Sequence, residues 1–232
     1  DQTSGYETAF IKTGANLQTE ARKYARGNKN MIVWVEKSFA NSFGNLARLK
    51  SSMFKTPTSV VFVLTDTAPA AYTIEAVHEI IEQKMANVVG VIPGKSKVNE
   101  FVVFSGHYDH LGVGKPVDGD SIYNGANDDA SGTTAVIALA KYFKKMKQPE
   151  RTLVFATFTA EESGGYGAQY FSQQMDPATV MAMFNIEMIG TDSKWGKNSA
   201  YITGYEKSDF GKILQDNLKG SAFEFHPDPY PS

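Results

Sequence analysis

The stretch Phe101-Val102-Val103-Phe104-Ser105-Gly106-His107-Tyr108-Asp109-His110 decides the reading of this chain. Its β-branched and aromatic half predicts a buried strand. It then runs without a break into an imidazole and a carboxylate. The pattern returns twice. Leu153-Val154-Phe155-Ala156-Thr157-Phe158 leads into Thr159-Ala160-Glu161-Glu162-Ser163-Gly164, and Met183-Phe184-Asn185-Ile186 leads into Glu187-Met188-Ile189-Gly190. A fourth cluster, Asn124-Gly125-Ala126-Asn127-Asp128-Asp129-Ala130-Ser131-Gly132, lies in a Gly/Asn-rich loop just ahead of a helical pattern. In open α/β sheets, sites form outside the carboxyl ends of the strands. The acids and the imidazole fall at those ends, so the pattern predicts a metal site.

Working outward, apolar runs alternate with helical patterns, which predicts an α/β fold: a three-layer sandwich with a mostly parallel, mixed central sheet. Strands are expected at Met31–Val35, Ser59–Leu64, Asn87–Ile92, Phe101–Ser105, Leu153–Thr159, Met183–Ile186 and Tyr201–Thr203. The polar turn containing Pro93-Gly94-Lys95-Ser96-Lys97 predicts a hairpin between the third and fourth of these. Ile74, Val77, Ile80 and Ile81 recur at helical spacing, with Glu75, His78, Glu79 and Glu82 between them. Thr133–Lys147 predicts a helix with Val136, Leu139, Ala140 and Phe143 on one face, Ser131 as its N-cap and lysines near its C-terminal end. Gly167–Gln173 opens another. The first eighty or so residues carry weak motifs and read as a covering subdomain or the first strands of the sheet.

The 232 residues can bury a full core and are read as a single domain, with 1–85 its least informative part. A hydrophobic share of 42% and a charged share of 21% are ordinary for a globular protein. The net charge of −2 provides no basic footprint, so neither nucleic acid nor an anionic membrane is an expected partner. No apolar run reaches membrane-spanning length. The chain has no cysteine. Thiolate sites, disulfides and cysteine nucleophiles are therefore excluded, and any metal must be held by His, Asp or Glu. A start at Asp1 without Met suits a processed exported protein or a chain trimmed at that end alike, and the lack of cysteine suits an oxidising or exposed compartment, so an extracytoplasmic protein is the expectation. The end at Asp228-Pro229-Tyr230-Pro231-Ser232 reads as truncated.

Each candidate has a bland reading beside the chemical one. His107 and Asp109, two apart at a strand end, point the same way, and a carboxylate beside a metal-bound imidazole fixes its tautomer. Alone they are equally a satisfied histidine beside a surface acid. His110 is as readily a loop or supporting residue as a ligand. Asp128 and Asp129 suit a solvated turn; as a site, one of the two would bridge a pair of cations. Glu161 and Glu162 leave a buried strand, where an unpaired carboxylate is costly. One of them can hold a metal while the other takes a proton. Otherwise they are an exposed pair at a helix start. Glu187 lies in a segment apolar on both sides, as in a central parallel strand. It should face a cation or simply reach water at the strand end. Convergence at equivalent strand ends favours the chemical reading.

Taken in order and spacing, Gly106-His107-Tyr108-Asp109-His110-Leu111-Gly112, the Asn124–Gly132 loop, Glu161-Glu162 and Asn185–Gly190 resemble the co-catalytic zinc exopeptidases of bacterial leucyl aminopeptidase type, peptidase family M28. The resemblance covers roughly Asn87 to Gly190. It implies two Zn2+ ions: His107 and Glu187 on the first, Asp128 bridging both, and Glu162 on the second. Glu161 would be the general base and Asp109 would orient His107, with a cis Asp128–Asp129 peptide. The family more often has Asp where this chain has Glu187. Its fifth ligand, a His, lies after the Pro-rich loop at which the chain stops, and the role is not transferred to His226. The implied activity is a metal-dependent exopeptidase, an aminopeptidase acting on a peptide or small aminoacyl substrate. The alternatives are a peptidase-like binding module that has lost catalysis, and a single-zinc enzyme similar to glutaminyl cyclases.

Overall fold

The computed structural model describes residues 5–50, 56–75, 77, 79, 81–146 and 148–230. By internal contacts the chain divides into two compact units, Asp1–Ile81 and Glu82–Ser232.

In the first unit, Met31-Ile32-Val33-Trp34-Val35 is apolar at every position, as a strand covered on both faces must be. It forms the buried strand β2 (Met31–Val35) between β1 (Glu7–Ile11) and β3 (Val60–Leu64), both parallel to it. Helix α1 (Leu17–Ala25) starts at Asn16, whose side chain accepts from the Thr19 N–H at 3.0 Å. It packs Leu17 and Ala21 against Ile11, Val33 and Val35. A short helix α2 (Ala40–Phe43) follows β2. The two strands expected here are present, and they belong to a sheet of their own. The helix expected over Ile74–Glu82 falls partly on residues 76, 78 and 80, which lie outside the described residues. The described residues of that stretch form no helix, and Val77 and Ile81 are exposed.

The second unit contains β4 (Val88–Ile92), β5 (Lys97–His107), a hairpin of β6 (Gly112–Val117) and β7 (Asp120–Tyr123), α3 (Ser131–Lys145), β8 (Arg151–Phe158), α4 (Tyr166–Gln173), β9 (Val180–Asn185), β10 (Ser199–Ile202), α5 (Phe210–Asn217) and β11 (Glu224–Pro227). The central sheet has the order β4-β8-β5-β9. β5, β8 and β9 are parallel and β4 alone is antiparallel, so the sheet is mixed as expected. The expected hairpin between β4 and β5 does not form, because β8 lies between them. The connection crosses the start of β8: Lys95 N–H donates to the Pro149 carbonyl, and the Ser96 and Lys97 N–H groups to that of Glu150. Gly94 makes the crossing possible, since a Cβ there would sit 2.6 Å from the Glu150 carbonyl oxygen. β9 is an edge strand of this sheet, not the central one its apolar sequence suggests, and Met181 and Met183 stay partly exposed.

Side chains alternate across a sheet, and both faces are covered. On one, Phe104, Leu153 and Phe155 pack with Val136 of α3. The Phe104 ring stacks on Phe143, Phe155 and Phe184 with centroids 5.7, 5.4 and 4.9 Å away. On the other, Phe158 meets Phe171 of α4 at 5.3 Å. These are the three layers expected. Phe104→Leu keeps the volume class but loses three aromatic contacts, so it should cost about 2 kcal/mol in urea unfolding. β10 and β11 form a separate parallel pair.

Candidate metal centre

Register places the strand ends level. His107, the last residue of β5, pairs with Phe158, the last of β8, and Ser105 pairs with Asn185, the last of β9. Whatever follows these residues gathers at one edge, beside the turn that feeds α3.

Asp129 fastens that edge. It is 2% exposed. Its Oδ2 accepts from the His107 N–H at 3.1 Å, and its Oδ1 from the Gly132 N–H at 2.9 Å and the Met188 N–H at 3.4 Å. Burial pushes its pKa up even though these three donors pull the other way. Gly132 allows the close approach: a Cβ there would lie 1.9 Å from the Ile186 carbonyl oxygen. Ser131 is not the helix cap expected of it. It is the first residue of α3, and its Oγ donates to the Asn127 carbonyl at 2.7 Å and accepts from the Ile189 N–H at 3.0 Å. Asn127 Oδ1 accepts from the Gly190 N–H at 2.8 Å. The 187–190 segment is thus stitched to the turn that carries Asp128. The Asp128–Asp129 peptide bond is cis.

His107 is buried. Its Nδ1 lies 2.9 Å from the Asp109 main-chain carbonyl and its Nε2 2.9 Å from Asp128 Oδ1. Burial pulls its pKa down, but the Asp109 carbonyl and the charges of Asp129, Glu161 and Asp128 together raise it. As an imidazolium it donates to both acceptors, and a cation at Nε2 would take the place of that proton. The Asp109 carboxylate is 3.7 Å from His107 Nδ1. Its closer partners are the backbone N–H groups of Glu161 at 3.1 Å and Glu162 at 3.4 Å. Asp109 therefore joins the end of β5 to the acid pair after β8.

Glu161 is partly buried. Burial raises its pKa, the His107 charge lowers it, and the neighbouring carboxylates of Glu187, Glu162 and Asp109 raise it further, so the balance is upward. Donor atoms of His110, Asp128 and Glu162 all lie within 4.8 Å of one another. Among the described residues this is the only such triad of metal-capable groups. The Glu187 carboxylate stands outside it and accepts from Asn185 Nδ2 at 2.7 Å. His226 is elsewhere, stacked on Trp195 with ring centroids 4.3 Å apart. The nitrogen and carboxylate donors suit zinc, whose bonds of about 2.0–2.2 Å in tetrahedral geometry hold donors about 3.3 Å apart.

The family model described as Peptidase family M28 matches residues 87–232. The chain belongs to peptidase family M28. This M28 chain is 34% identical over 112 residues to a probable zinc metalloprotease of Leptosphaeria maculans, covering 47% of this chain and 26% of the relative. It is 30% identical over 144 residues to a vacuolar membrane protease of Vanderwaltozyma polyspora, covering 62% of this chain and 14% of that protein. The chain spans about a quarter of the length of the first zinc metalloprotease relatives it matches. The solved aminopeptidase from Aneurinibacillus sp. strain AM-1 shares the fold, with a TM-score of 0.50 at 17% identity over 96% of this chain and 60% of that one.

Two features of this M28 chain escape a reading by strand ends. Asp129 is the anchor of the edge, and its sequence neighbour Asp128 carries the same side chain. His110, in the triad, is held through its Nδ1 by the Tyr123 carbonyl of the β6–β7 hairpin, which the apolar runs do not predict. A signal for that hairpin was present in Asp118-Gly119, which adopt φ of 52° and 87° between the paired residues Val117 and Asp120.

Proposed function

We propose that this chain carries the catalytic centre of a zinc-dependent exopeptidase, an aminopeptidase that hydrolyses the N-terminal peptide bond of a peptide or small aminoacyl substrate. One observation carries the reading. Asp128 Oδ1 lies 2.9 Å from His107 Nε2, and Asp128 also groups with His110 and Glu162, the surroundings a carboxylate shared between two cations would need. His107 and Glu187 would hold the first Zn2+, Asp128 both, and Glu162 the second. When bound, zinc polarises the scissile carbonyl and makes water acidic near neutral pH.

The remaining steps belong to the chain's own groups. A Glu161 carboxylate oxygen accepts the proton of the attacking water and returns it to the leaving amine. Asp109, bonded to the two backbone N–H groups, fixes where Glu161 and Glu162 point. Support for peptide chemistry comes from family membership and from relatives named probable zinc metalloproteases. Support for an amino-terminal preference is the fold shared with a solved aminopeptidase. Extracytoplasmic work is part of the same proposal; it is supported by the cysteine-free composition and by a relative named as vacuolar.

The test is direct. The 232-residue chain, loaded with zinc, is assayed for bound metal and for hydrolysis of aminoacyl p-nitroanilides against their N-acetylated forms. About two zinc ions per chain and cleavage only of the free-amine substrates are expected. Stripping the metal with a chelator should lower the melting temperature by several degrees, with full recovery on adding zinc back. A chain that binds no zinc sinks the proposal. Full zinc occupancy without hydrolysis would instead favour a binding module, and one zinc with cyclisation of N-terminal glutamine a cyclase.

A further inference from the structure

We infer that Asn185 is a positioning residue for the first zinc site: its side-chain amide, set by the buried hydroxyl of Ser105, holds one oxygen of Glu187 and so turns that carboxylate. This deepens the zinc reading above and rests on it, since Glu187 is a ligand only there.

Three observations carry it. The first is register. Ser105 of β5 pairs with Asn185, the last residue of β9, so the two side chains meet on one face of the sheet. Residues two apart on a strand share a face. His107 follows Ser105 on that face, and Glu187 lies two beyond Asn185. The second is a chain of two hydrogen bonds. The Ser105 hydroxyl donates to Asn185 Oδ1 at 2.8 Å, and Asn185 Nδ2 donates to Glu187 Oε1 at 2.7 Å. Turned the other way, the amide would press Oδ1 against the carboxylate, acceptor against acceptor. Ser105 is 0% exposed and cannot exchange its partner for bulk water, so it keeps the amide in the donating setting. The third is charge. An amide is neutral, so it orients Glu187 without cancelling the negative charge a cation needs, as a lysine or arginine would. Glu187 is exposed, and a glutamate side chain has much rotamer freedom to lose. Holding one oxygen beforehand lowers that loss when the ion binds.

The test compares the wild-type chain with Asn185→Ala, Ser105→Ala, Glu187→Gln and the double variant Asn185→Ala with Glu187→Gln. Zinc is titrated in competition with a chromogenic chelator, metal-free thermal melts are recorded, and the Asn185 side-chain amide is followed in asparagine-15N spectra. Glu187→Gln identifies the first site as the one whose affinity it lowers most. There Asn185→Ala should weaken binding about 10-fold, the lower end for loss of a supporting group because Asn185 is exposed. Ser105→Ala should weaken it about 3-fold, and the second site should stay within about 2-fold of wild type throughout both single changes. In the double variant the loss should not exceed that of Glu187→Gln alone, the non-additivity of two groups that act as one. The Asn185 amide signal should shift with the first equivalent of zinc, and in the metal-free Glu187→Gln chain as well. Metal-free Asn185→Ala should melt within about 2 °C of wild type, which separates positioning from a role in the fold. Unchanged first-site affinity in Asn185→Ala, an equal loss at both sites, or an additive loss in the double variant overturns the inference and leaves the dizinc reading standing. So does an amide signal indifferent both to zinc and to Glu187→Gln. A wild-type chain that takes up no zinc overturns both.

Discussion

Glu161→Gln is expected to lower kcat by about 10²–10⁴-fold while the zinc content stays at the wild-type value. The amide keeps the shape and the partly buried position of the carboxyl but cannot accept a proton at neutral pH. Its backbone N–H still donates to Asp109, so the geometry of Glu162 should be preserved. The two measurements must be read together. Loss of turnover with full metal content assigns proton transfer to Glu161. Loss of both would mean that the residue holds the metal, and near-normal turnover would remove it from the mechanism. The companion change Glu162→Gln should fail in the opposite way, losing metal first.

The second large effect is structural. Asp129→Ala removes the acceptor of three N–H groups, from the end of β5, the start of α3 and the segment after β9. An unsatisfied buried donor costs about 1–3 kcal/mol. The three share one acceptor and are not additive, so a loss of about 4 kcal/mol is expected, seen as a fall in melting temperature of about 10 °C. Asp129→Asn retains one carbonyl oxygen and should lose about half as much. If Asp129→Ala melts within about 2 °C of wild type, the carboxyl is not what holds the strand ends together.

That His107, Glu161 and Glu162 gather at one sheet edge was legible in the sequence because these residues follow unbroken apolar runs. A run such as Phe101–Phe104 has to be a covered strand, and level parallel strands bring their exits together whatever the details. Less could be read of the connections. Turn chemistry at Pro93–Lys97 favours neighbouring strands, yet β8, covered on both faces, takes the place between β4 and β5. β1 and α1 went unseen because Glu7, Thr8 and most of Leu17–Ala25 are polar, and their burial rests on a few residues such as Ile11, Leu17 and Ala21. The separate parts of Asp128 and Asp129 depend on backbone geometry within one turn, which side-chain chemistry does not encode. His110 faces the acids because the β6–β7 hairpin returns the Tyr123 carbonyl to its Nδ1. Recognising Asp118-Gly119 as a two-residue hairpin turn would have brought that carbonyl into view.

The insertion of β8 between two strands that precede it in the chain also bears on biosynthesis. Both flanking segments, 88–92 and 97–107, leave the ribosome before the residues that join them exist. Until position 158 has emerged, the Phe104 face has no companion strand on the β8 side, and two apolar ribbons remain open to wrong partners. A nascent chain halted at about residue 145 should therefore be held by chaperones, while one extended past β9 should be released from them.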